Sequence, residues 1–243
     1  MHSNNNIKPD IMKIKITSLA TAFLFASISL FSSCKEDDEP EIAPTVSQAN
    51  VLVAHTSPNA PGVDLLVDGV KQNTAALTFP NNTGYLKVNS GTRNIKVNVS
   101  GTATTVIEAN LPLVQDMNYS VFAVDSVSKI SAVVVTDDLS APASGKAHVR
   151  FIHLSPNAPA VDIAVASSGA VVFGNKAFKE YTPFTPLDAG TYNLDVRVAG
   201  TKTVALVLPA ITLEAGKIYT VFAKGFLGGT GAQALGAEII VNK

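Results

Sequence analysis

The sequence predicts an all-β protein made of two tandem copies of one antiparallel β-sandwich domain. Three observations lead to this prediction. The chain is 47% hydrophobic and rich in valine, threonine and glycine, a composition typical of strands and turns around a packed core. One set of short motifs occurs twice in the same order. Each copy contains about seven short apolar segments separated by turn residues, which is the pattern of a Greek-key sandwich.

Charge and cysteine content exclude several classes of protein. The chain has 18 Lys and Arg against 19 Asp and Glu, and a nucleic-acid-binding protein needs a basic excess or a basic stripe. We therefore predict no nucleic-acid partner. The single cysteine, Cys34, excludes an internal disulfide, so this thiol needs another explanation.

The amino-terminal segment has the features of a secretory signal peptide. Residues 16–31 carry no charge, follow Lys13 and Lys15, and precede small residues. The apolar run is shorter than the roughly 20 residues of a membrane span, and acidic residues follow it. We therefore predict a signal peptide over 1–33 rather than a retained membrane anchor. Residues before Met12 suit no part of a signal peptide, so we place the translation start at Met12.

The cysteine follows a sequence that resembles a lipobox. Leu30-Phe31-Ser32-Ser33-Cys34 implies that the Cys34 sulfur carries a diacylglycerol, which explains a lone cysteine and anchors the protein to a membrane. A lipidated tether is predicted over 34–49. It begins with a charged run formed by Lys35, Glu36, Asp37, Asp38 and Glu39.

This acidic run has two interpretations that are compatible with each other. It resembles the export tag of surface-exposed lipoproteins of the Bacteroidetes, and it is also typical of a solvated spacer. We expect an outer-membrane lipoprotein exposed at the cell surface, with a periplasm-facing orientation as the alternative.

An internal repeat covers almost all of the remaining chain. The motif His-x-Ser-Pro-Asn-Ala-Pro-x-Val-Asp occurs at 55–64 and again at 153–162, and Tyr-x-Val-Phe-Ala occurs at 119–123 and 219–223. The order and the nearly constant spacing indicate a tandem duplication. We predict a first sandwich over 50–139, a linker of small residues over 140–146, and a second sandwich over 147–243.

Alternating hydrophobicity places the strands of the first copy. Val51, Val53 and His55 share one strand face, which we expect to point to the core, and Asp68-Gly69 is a two-residue hairpin signal. No segment after Cys34 has helical periodicity. Strands are predicted at 51–55, 63–67, 85–89, 94–99, 105–109, 119–124 and 130–136.

The repeated motif and its tandem arrangement resemble a family of domains of unknown function, DUF4397. The resemblance covers about 50–138 and 148–241. It implies an immunoglobulin-like or transthyretin-like sandwich and implies no reaction. Asn59 and Asn157 stand where the family often has aspartate, so no carboxylate role carries over to those positions.

The motif contains the residue types of a nucleophilic triad, but its spacing argues against catalysis. A histidine and a serine two residues apart on a strand supply no oxyanion hole, and no nucleophile-elbow sequence is present. We predict a structural role and no enzyme activity. Each histidine should bond its own Pro-rich loop, and each aspartate should cap a turn or pair with a neighbouring Lys or Arg. The residues are His55, Ser57 and Asp64, mirrored by His153, Ser155 and Asp162.

Three other features are weighed as sites. Asp137 and Asp138 offer oxygen ligands for calcium, but adjacent aspartates are typical of solvated turns, and we predict neither a metal site nor a cofactor. Phe226 and Leu227 lie in a glycine-rich segment and form a candidate ligand loop. Ser126 lies in a three-residue sequence that resembles an O-glycosylation acceptor of the Bacteroidetes.

These observations favour a non-enzymatic binding or adhesion module with a glycan or protein ligand. Sandwich domains present loops at their ends, where recognition usually occurs, and two copies add valency. A structural or accessory subunit of an envelope complex is the alternative. A hydrolase that uses the His, Ser and Asp set is a more remote one.

Overall fold

Short β-strands make up most of the described chain. The computed structural model describes residues 46–243, and within that range it holds eighteen strands, two short 3-10 helices and no α-helix. The signal peptide predicted over 1–33, Cys34 and the acidic run lie outside the described residues. No helix within 46–243 is long and apolar enough to cross a membrane.

The strands fall into two successive sets. The first set is β1 (Gln48–His55), β2 (Val63–Val67), β3 (Val70–Lys71), β4 (Asn82–Asn89), β5 (Gly91–Val99), β6 (Thr105–Leu113), β7 (Asn118–Val124) and β8 (Ser131–Asp137), with helix η1 (Val127–Lys129). The second set is β9 (Lys146–His153), β10 (Val161–Val165), β11 (Val171–Lys176), β12 (Thr185–Asp188), β13 (Gly190–Tyr192), β14 (Leu194–Val198), β15 (Val204–Val207), β16 (Ile211–Leu213), β17 (Ile218–Lys224) and β18 (Gly236–Val241), with helix η2 (Gly231–Gln233).

Each repeat folds into two sheets that pack face to face. In the first repeat the sheet β4-β1-β7-β8 packs on the sheet β3-β2-β5-β6. In the second repeat β12-β9-β17-β18 packs on β11-β10-β14-β15, and β13-β16 forms a small additional sheet. The predicted all-β fold of two tandem sandwiches is confirmed. We call β4-β1-β7-β8 and β12-β9-β17-β18 the inner sheets, because they face each other.

The pairing of the strands differs from the prediction in one respect. The predicted sandwiches were antiparallel, but β1 pairs with β7 in parallel and β9 pairs with β17 in parallel. The chain between the paired strands passes through the other sheet of the repeat, which supplies the long connection that a parallel pair requires. The sequence pattern gave no sign of this, since strand periodicity is the same in both directions.

In the first repeat a tight turn at Asp68-Gly69 is followed by a very short strand. The two residues adopt positive φ angles of 48° and 81° and form the predicted two-residue turn. The turn leads into β3, a two-residue strand that the sequence analysis missed. Its side chains are exposed, so no hydrophobic alternation marks it.

Both faces of each inner sheet are buried. On β1 the side chains of Val51 and Val53 lie in the core of their own sandwich, as predicted. The opposite face, with Leu52 and Ala54, packs against the second repeat. This third core consists of Leu52, Ala54, Phe122, Val124, Val135, Ile152, Leu154, Phe222 and Ile240. The two repeats are therefore joined by a shared hydrophobic core as well as by residues 138–145.

An ion pair lies within the same interface. Arg150 and Asp137 are 2.5 Å apart, and their side chains are 1% and 0% exposed. The expectation that Asp137 is a solvated turn residue is therefore wrong. It ends the edge strand β8, whose inner face is covered by the second repeat.

Candidate functional site at the loop end

The two copies of the repeated motif lie at one end of the molecule, which we call the loop end. Because β1 and β7 are parallel, the loops that follow them emerge at the same end of their sheet. The same holds for β9 and β17. We call 56–62 and 154–160 the motif loops, and 125–130 and 225–235 the clasp loops.

The loop ends of the two repeats are adjacent. Lys179 of the second repeat donates to the Ser131 hydroxyl of the first over 3.1 Å, and its ammonium lies 3.9 Å from the Asp125 carboxylate. In the other direction, the Lys224 ammonium lies 5.7 Å from the centre of the Phe79 ring. Contacts between the two repeats therefore lie close to the clasp loops.

The motif histidines contact their own loops, as the sequence analysis expects. His55 Nε2 lies 2.9 Å from the carbonyl oxygen of Pro61, and His153 Nε2 lies 3.0 Å from that of Pro159. Both imidazoles are completely buried. Desolvation by burial lowers the pKa of each below its usual value of 6.5, so both rings are neutral at pH 7.

The hydroxyls of the motif serines bond backbone carbonyls rather than histidine. The Ser57 hydroxyl donates to the carbonyl of Asp125 over 2.6 Å, and the Ser155 hydroxyl donates to that of Gly225 over 2.7 Å. A nucleophilic serine would have to give its proton to the imidazole. These hydroxyls instead hold the motif loop to the clasp loop, so in neither repeat do the three side chains form a triad.

Asparagine residues fasten the same two loops a second time. Asn59 Oδ1 accepts from the amide of Val127 over 2.9 Å. Asn157 Oδ1 accepts from the amide of Leu227 over 2.8 Å, and its Nδ2 donates to the Leu227 carbonyl. In the sequence these asparagines stand out only as departures from the family pattern. Their presence at the same place in both motifs was the signal for this role.

The motif aspartates hold turns near the same end. Asp64 accepts hydrogen bonds from Ser100 and from the amide of Gly101, and it pairs with Lys71 over 2.9 Å. The bond from Lys71 and then that from Gly101 lower the pKa of Asp64 to about 2. Both alternatives considered for this residue therefore occur together.

The aspartate of the second motif has amide partners only. Asp162 accepts from the backbone amides of Asn175 and Gly200, over 2.6 and 2.9 Å. It therefore caps turns, which is one of the two roles considered for it.

The clasp loops present apolar side chains to solvent. Val127 is 41% exposed and Leu227 is 46% exposed, and their amides are the ones that the two asparagines hold. Phe226 of the candidate ligand loop is half-buried, and its amide donates to Gln233. Ser126 lies beside Val127, with its hydroxyl 3.4 Å from that of Ser128.

The aspartates weighed as calcium ligands have other partners. Asp137 is taken up by the ion pair with Arg150, and Asp138 accepts from the amide and the hydroxyl of Ser140. Among residues 46–243, no group of three or more His, Cys, Asp or Glu side chains is placed to hold a metal ion.

Comparison with solved structures finds a slight likeness to a carbohydrate-binding module. This is the family CBM26 module of Eubacterium rectale Amy13K, crystallised with maltoheptaose. The match covers 79% of the present chain and 95% of the module, with 10% identity and a TM-score of 0.24. A likeness this slight says nothing about what the present chain binds. None of the curated proteins compared with the chain matches it.

The motifs also match a family model. The model described as domain of unknown function DUF4397 matches residues 49–164 and 165–241, in two adjacent segments. Their junction falls at the end of β10, whereas the sheets of the structure change over between Asp137 and Lys146. The matched segments cover nearly all of the described residues, and the chain belongs to the DUF4397 family.

Proposed function

We propose that this protein is a non-enzymatic binding module of the bacterial envelope and that the loop end is its binding surface. The proposal rests on the way each motif loop is fastened to its clasp loop. In both repeats a serine and an asparagine of the motif fasten the same two loops, and each clasp presents one exposed aliphatic side chain, Val127 or Leu227.

Preorganisation makes such loops suited to recognition. A loop that is already ordered loses less conformational entropy when it binds, and the buried histidines and the serines order these loops from beneath. Two adjacent copies can also engage a repeated or extended ligand, which raises avidity without new contacts.

The surface chemistry favours a protein ligand over a glycan. Val127 and Leu227 are aliphatic, whereas sugar rings are usually held by flat aromatic side chains, and the chain has no tryptophan. The lysines near this end are already matched by carboxylates, Lys179 by Asp125 over 3.9 Å and Lys224 by Glu238 over 2.6 Å. We therefore propose that the ligand is a protein with an apolar surface.

The direction of β1 supports display of this surface away from a membrane. The chain enters β1 at Gln48, and the motif loop begins after His55, about 26 Å further along the strand. A lipid on Cys34 would anchor the end opposite to the binding loops. We propose that the protein is an outer-membrane lipoprotein with its loop end facing the cell exterior.

Protease accessibility on intact cells tests the display. The full-length protein should be cleaved by added protease, and a variant with Lys35, Glu36, Asp37, Asp38 and Glu39 all replaced by alanine should be protected. Disruption of the outer membrane should make both forms accessible. Protection of the unmodified protein would place the domains in the periplasm and contradict surface display.

A matched pair of variants tests the binding surface. A screen of envelope and host proteins, with a glycan array beside it, identifies the ligand. The double variant Val127→Asp/Leu227→Asp should then weaken binding by about tenfold or more, because the charges would disrupt an apolar contact. Val207→Asp is the control, since Val207 is 69% exposed on β15. Loss of binding in the control alone would contradict the assignment.

One observation favours the second candidate, an accessory subunit of an envelope complex. The edge strand β15 exposes both Val204 and Val207, at 44% and 69%. Exposed apolar edge strands are sites where another chain can add. Crosslinking in cells distinguishes the two functions, because a subunit would crosslink to one constant partner through β15.

A further inference from the structure

The interface between the repeats has the form of an approximate twofold pair. Phe122 and Phe222 occupy the same place in the repeated motif, and their rings meet with centroids 6.3 Å apart. The inner sheets that contact each other are also equivalent, with orders β4-β1-β7-β8 and β12-β9-β17-β18. Two identical repeats could form the same contact, as in an ordinary homodimer.

A buried polar network replaces apolar contact in one part of this interface. Arg150 donates from Nη1 to Asp137 over 2.5 Å, from Nη2 to the Ser120 hydroxyl over 2.9 Å and from Nε to the Thr220 hydroxyl over 2.8 Å. Ser120 in turn donates to Asp137 over 2.6 Å. Each of the three guanidinium nitrogens therefore has a hydrogen-bond partner.

Tyrosine and asparagine close the network. Tyr85 donates to Asp137 over 2.5 Å and accepts from Asn242 Nδ2 over 3.0 Å, while Thr220 donates to Asn242 Oδ1 over 2.7 Å. Burial and the Asp137 charge raise the pKa of Tyr85 well above its usual value, so its hydroxyl keeps the proton that it donates.

The two charges break the twofold symmetry. In the parallel ladders Leu52 lies opposite Ser120, and Arg150 lies opposite Thr220. Leu52 of the first repeat is therefore the counterpart of Arg150. In the same way Asp137, at the end of β8, is the counterpart of Asn242, which directly follows β18. Each repeat thus contributes one charge, of opposite sign, at non-equivalent positions.

Pairing of like repeats would bury these charges without partners. Two first repeats would bring together two copies of Asp137, and the buried residues of that repeat include no Lys or Arg. Two second repeats would bring together two copies of Arg150, and the buried residues of that inner face include no carboxylate. An unpaired buried charge is strongly destabilising, even where a paired one adds little.

We propose that the Arg150–Asp137 pair determines partner choice. The inner face of a first repeat accepts only the inner face of a second repeat, so the chain closes on itself and does not associate through like repeats. A second copy of the chain can join only by exchanging repeats, with residues 138–145 as the hinge. The pair is thus a specificity determinant, comparable to the charges that set partner choice in coiled coils.

Charge reversal in the full chain tests this proposal. Asp137→Arg gives a chain with two arginines in the interface, and Arg150→Asp gives a chain with two aspartates. Each variant alone should melt about 10 °C or more below the unmodified protein. Refolded together, the two variants should form a one-to-one complex of exchanged repeats that melts higher than either alone, as seen by native mass spectrometry and calorimetry.

Two further variants keep the test decisive if a single variant does not fold. The reversed pair in one chain, Asp137→Arg/Arg150→Asp, should be a monomer more stable than either single variant. The neutral pair, Asp137→Asn/Arg150→Met, removes the charges, so like repeats no longer repel. After unfolding and refolding at high concentration it should give mixed oligomers, whereas the unmodified chain should return to monomer.

Either of two results would overturn the proposal. The first is a mixture of the charge-reversed chains that shows no complex although both chains fold. The second is a neutral pair that refolds to monomer as completely as the unmodified chain, which would show that the apolar core alone selects the partner.

Discussion

At the scale of single residues, the motif histidines are buried and have a structural role. His55 and His153 lie beneath their loops, each with Nε2 on a proline carbonyl and with a phenylalanine ring edge-on at 6.5 Å. A neutral imidazole can donate from one nitrogen only. These rings use that donor to hold the loop. The accepting Nδ1 of His153 then takes the backbone amide of Ser155 over 3.3 Å, and Nδ1 of His55 has no hydrogen-bond partner among the described residues, so neither faces a serine hydroxyl.

The lowered pKa values of the two histidines predict a dependence of stability on pH. Above about pH 6.5 both rings are neutral in the folded and unfolded chain, and the stability is complete. Below 6.5 the unfolded chain takes up protons that the folded chain resists. The free energy of unfolding should therefore fall by up to about 1.4 kcal/mol per pH unit for each histidine, until the folded-state pKa is reached.

Urea unfolding between pH 7.5 and pH 5 measures this effect. His153→Asn should reduce the slope by removing one of the two buried rings. His148→Gln is the matched control, because it leaves both buried rings in place and should keep the slope. A stability that stays constant between pH 6.5 and pH 5 would show that protonation of these rings does not couple to unfolding.

At the scale of elements, the motif aspartates accept hydrogen bonds from turn amides that the strand ladders do not pair. Asp162 accepts from the amides of Asn175 and Gly200, which belong to the ends of β11 and of the β14–β15 hairpin. Gly200 adopts a φ of 71°, so its amide is oriented by the turn and needs an acceptor. One carboxylate thus ties together three strands of the outer sheet.

Removal of this carboxylate should destabilise the second repeat. Asp162→Ala leaves the amides of Asn175 and Gly200 without this acceptor, and we expect a loss of about 2 kcal/mol in the free energy of unfolding, because bonds to charged groups are among the stronger ones. Asp188→Ala is the control, since it removes an ion pair with Lys146 from a side chain that is 79% exposed. Equal losses in chemical denaturation would contradict the capping role.

The strands themselves were largely predictable, because alternation of apolar and polar residues is a local property. Segment 94–99 alternates and segment 119–124 is apolar apart from Ser120, and the structure has β5 and β7 there. The parallel partner of β7 was not predictable, since the choice between neighbours depends on the path of the chain between the sheets. β3 was not predicted for a different reason: both of its residues are exposed, so they show no hydrophobic alternation.

At the scale of the whole molecule, the shared core makes the two repeats interdependent. Each inner sheet is covered on one side by its own sandwich and on the other by the second repeat. Unfolding of one repeat would expose the apolar face of the other. We therefore expect the described chain to unfold in one cooperative transition rather than in two.

Phe122→Ala tests this interdependence. The side chain is fully buried in the shared core, and its removal should cost about 3–5 kcal/mol while calorimetry still shows one transition. Phe226→Ala, in a half-buried position of the loop end, should cost less. Two separate transitions, with only one of them shifted by Phe122→Ala, would show that the repeats unfold independently.

The fold class, the duplication, the family and the contact between each histidine and its loop could all be predicted from the sequence alone. All of these depend on composition, on periodicity or on contacts within a few residues along the chain. Such local features are visible in the sequence without knowledge of the fold. The sequence also predicted a lipid anchor at Cys34 and an export signal, which remain predictions.

The fastening of each motif loop to its clasp loop and the pairing of Arg150 with Asp137 became visible only in the folded chain. These contacts connect residues that lie far apart in the sequence or in different repeats, such as Asn157 with Leu227 and Tyr85 with Asn242. A lone arginine in an apolar strand signals a partner, but the partner depends on which faces meet. The physical reason is that a repeat motif fixes each sandwich, whereas the complementarity of two buried faces fixes how the sandwiches combine.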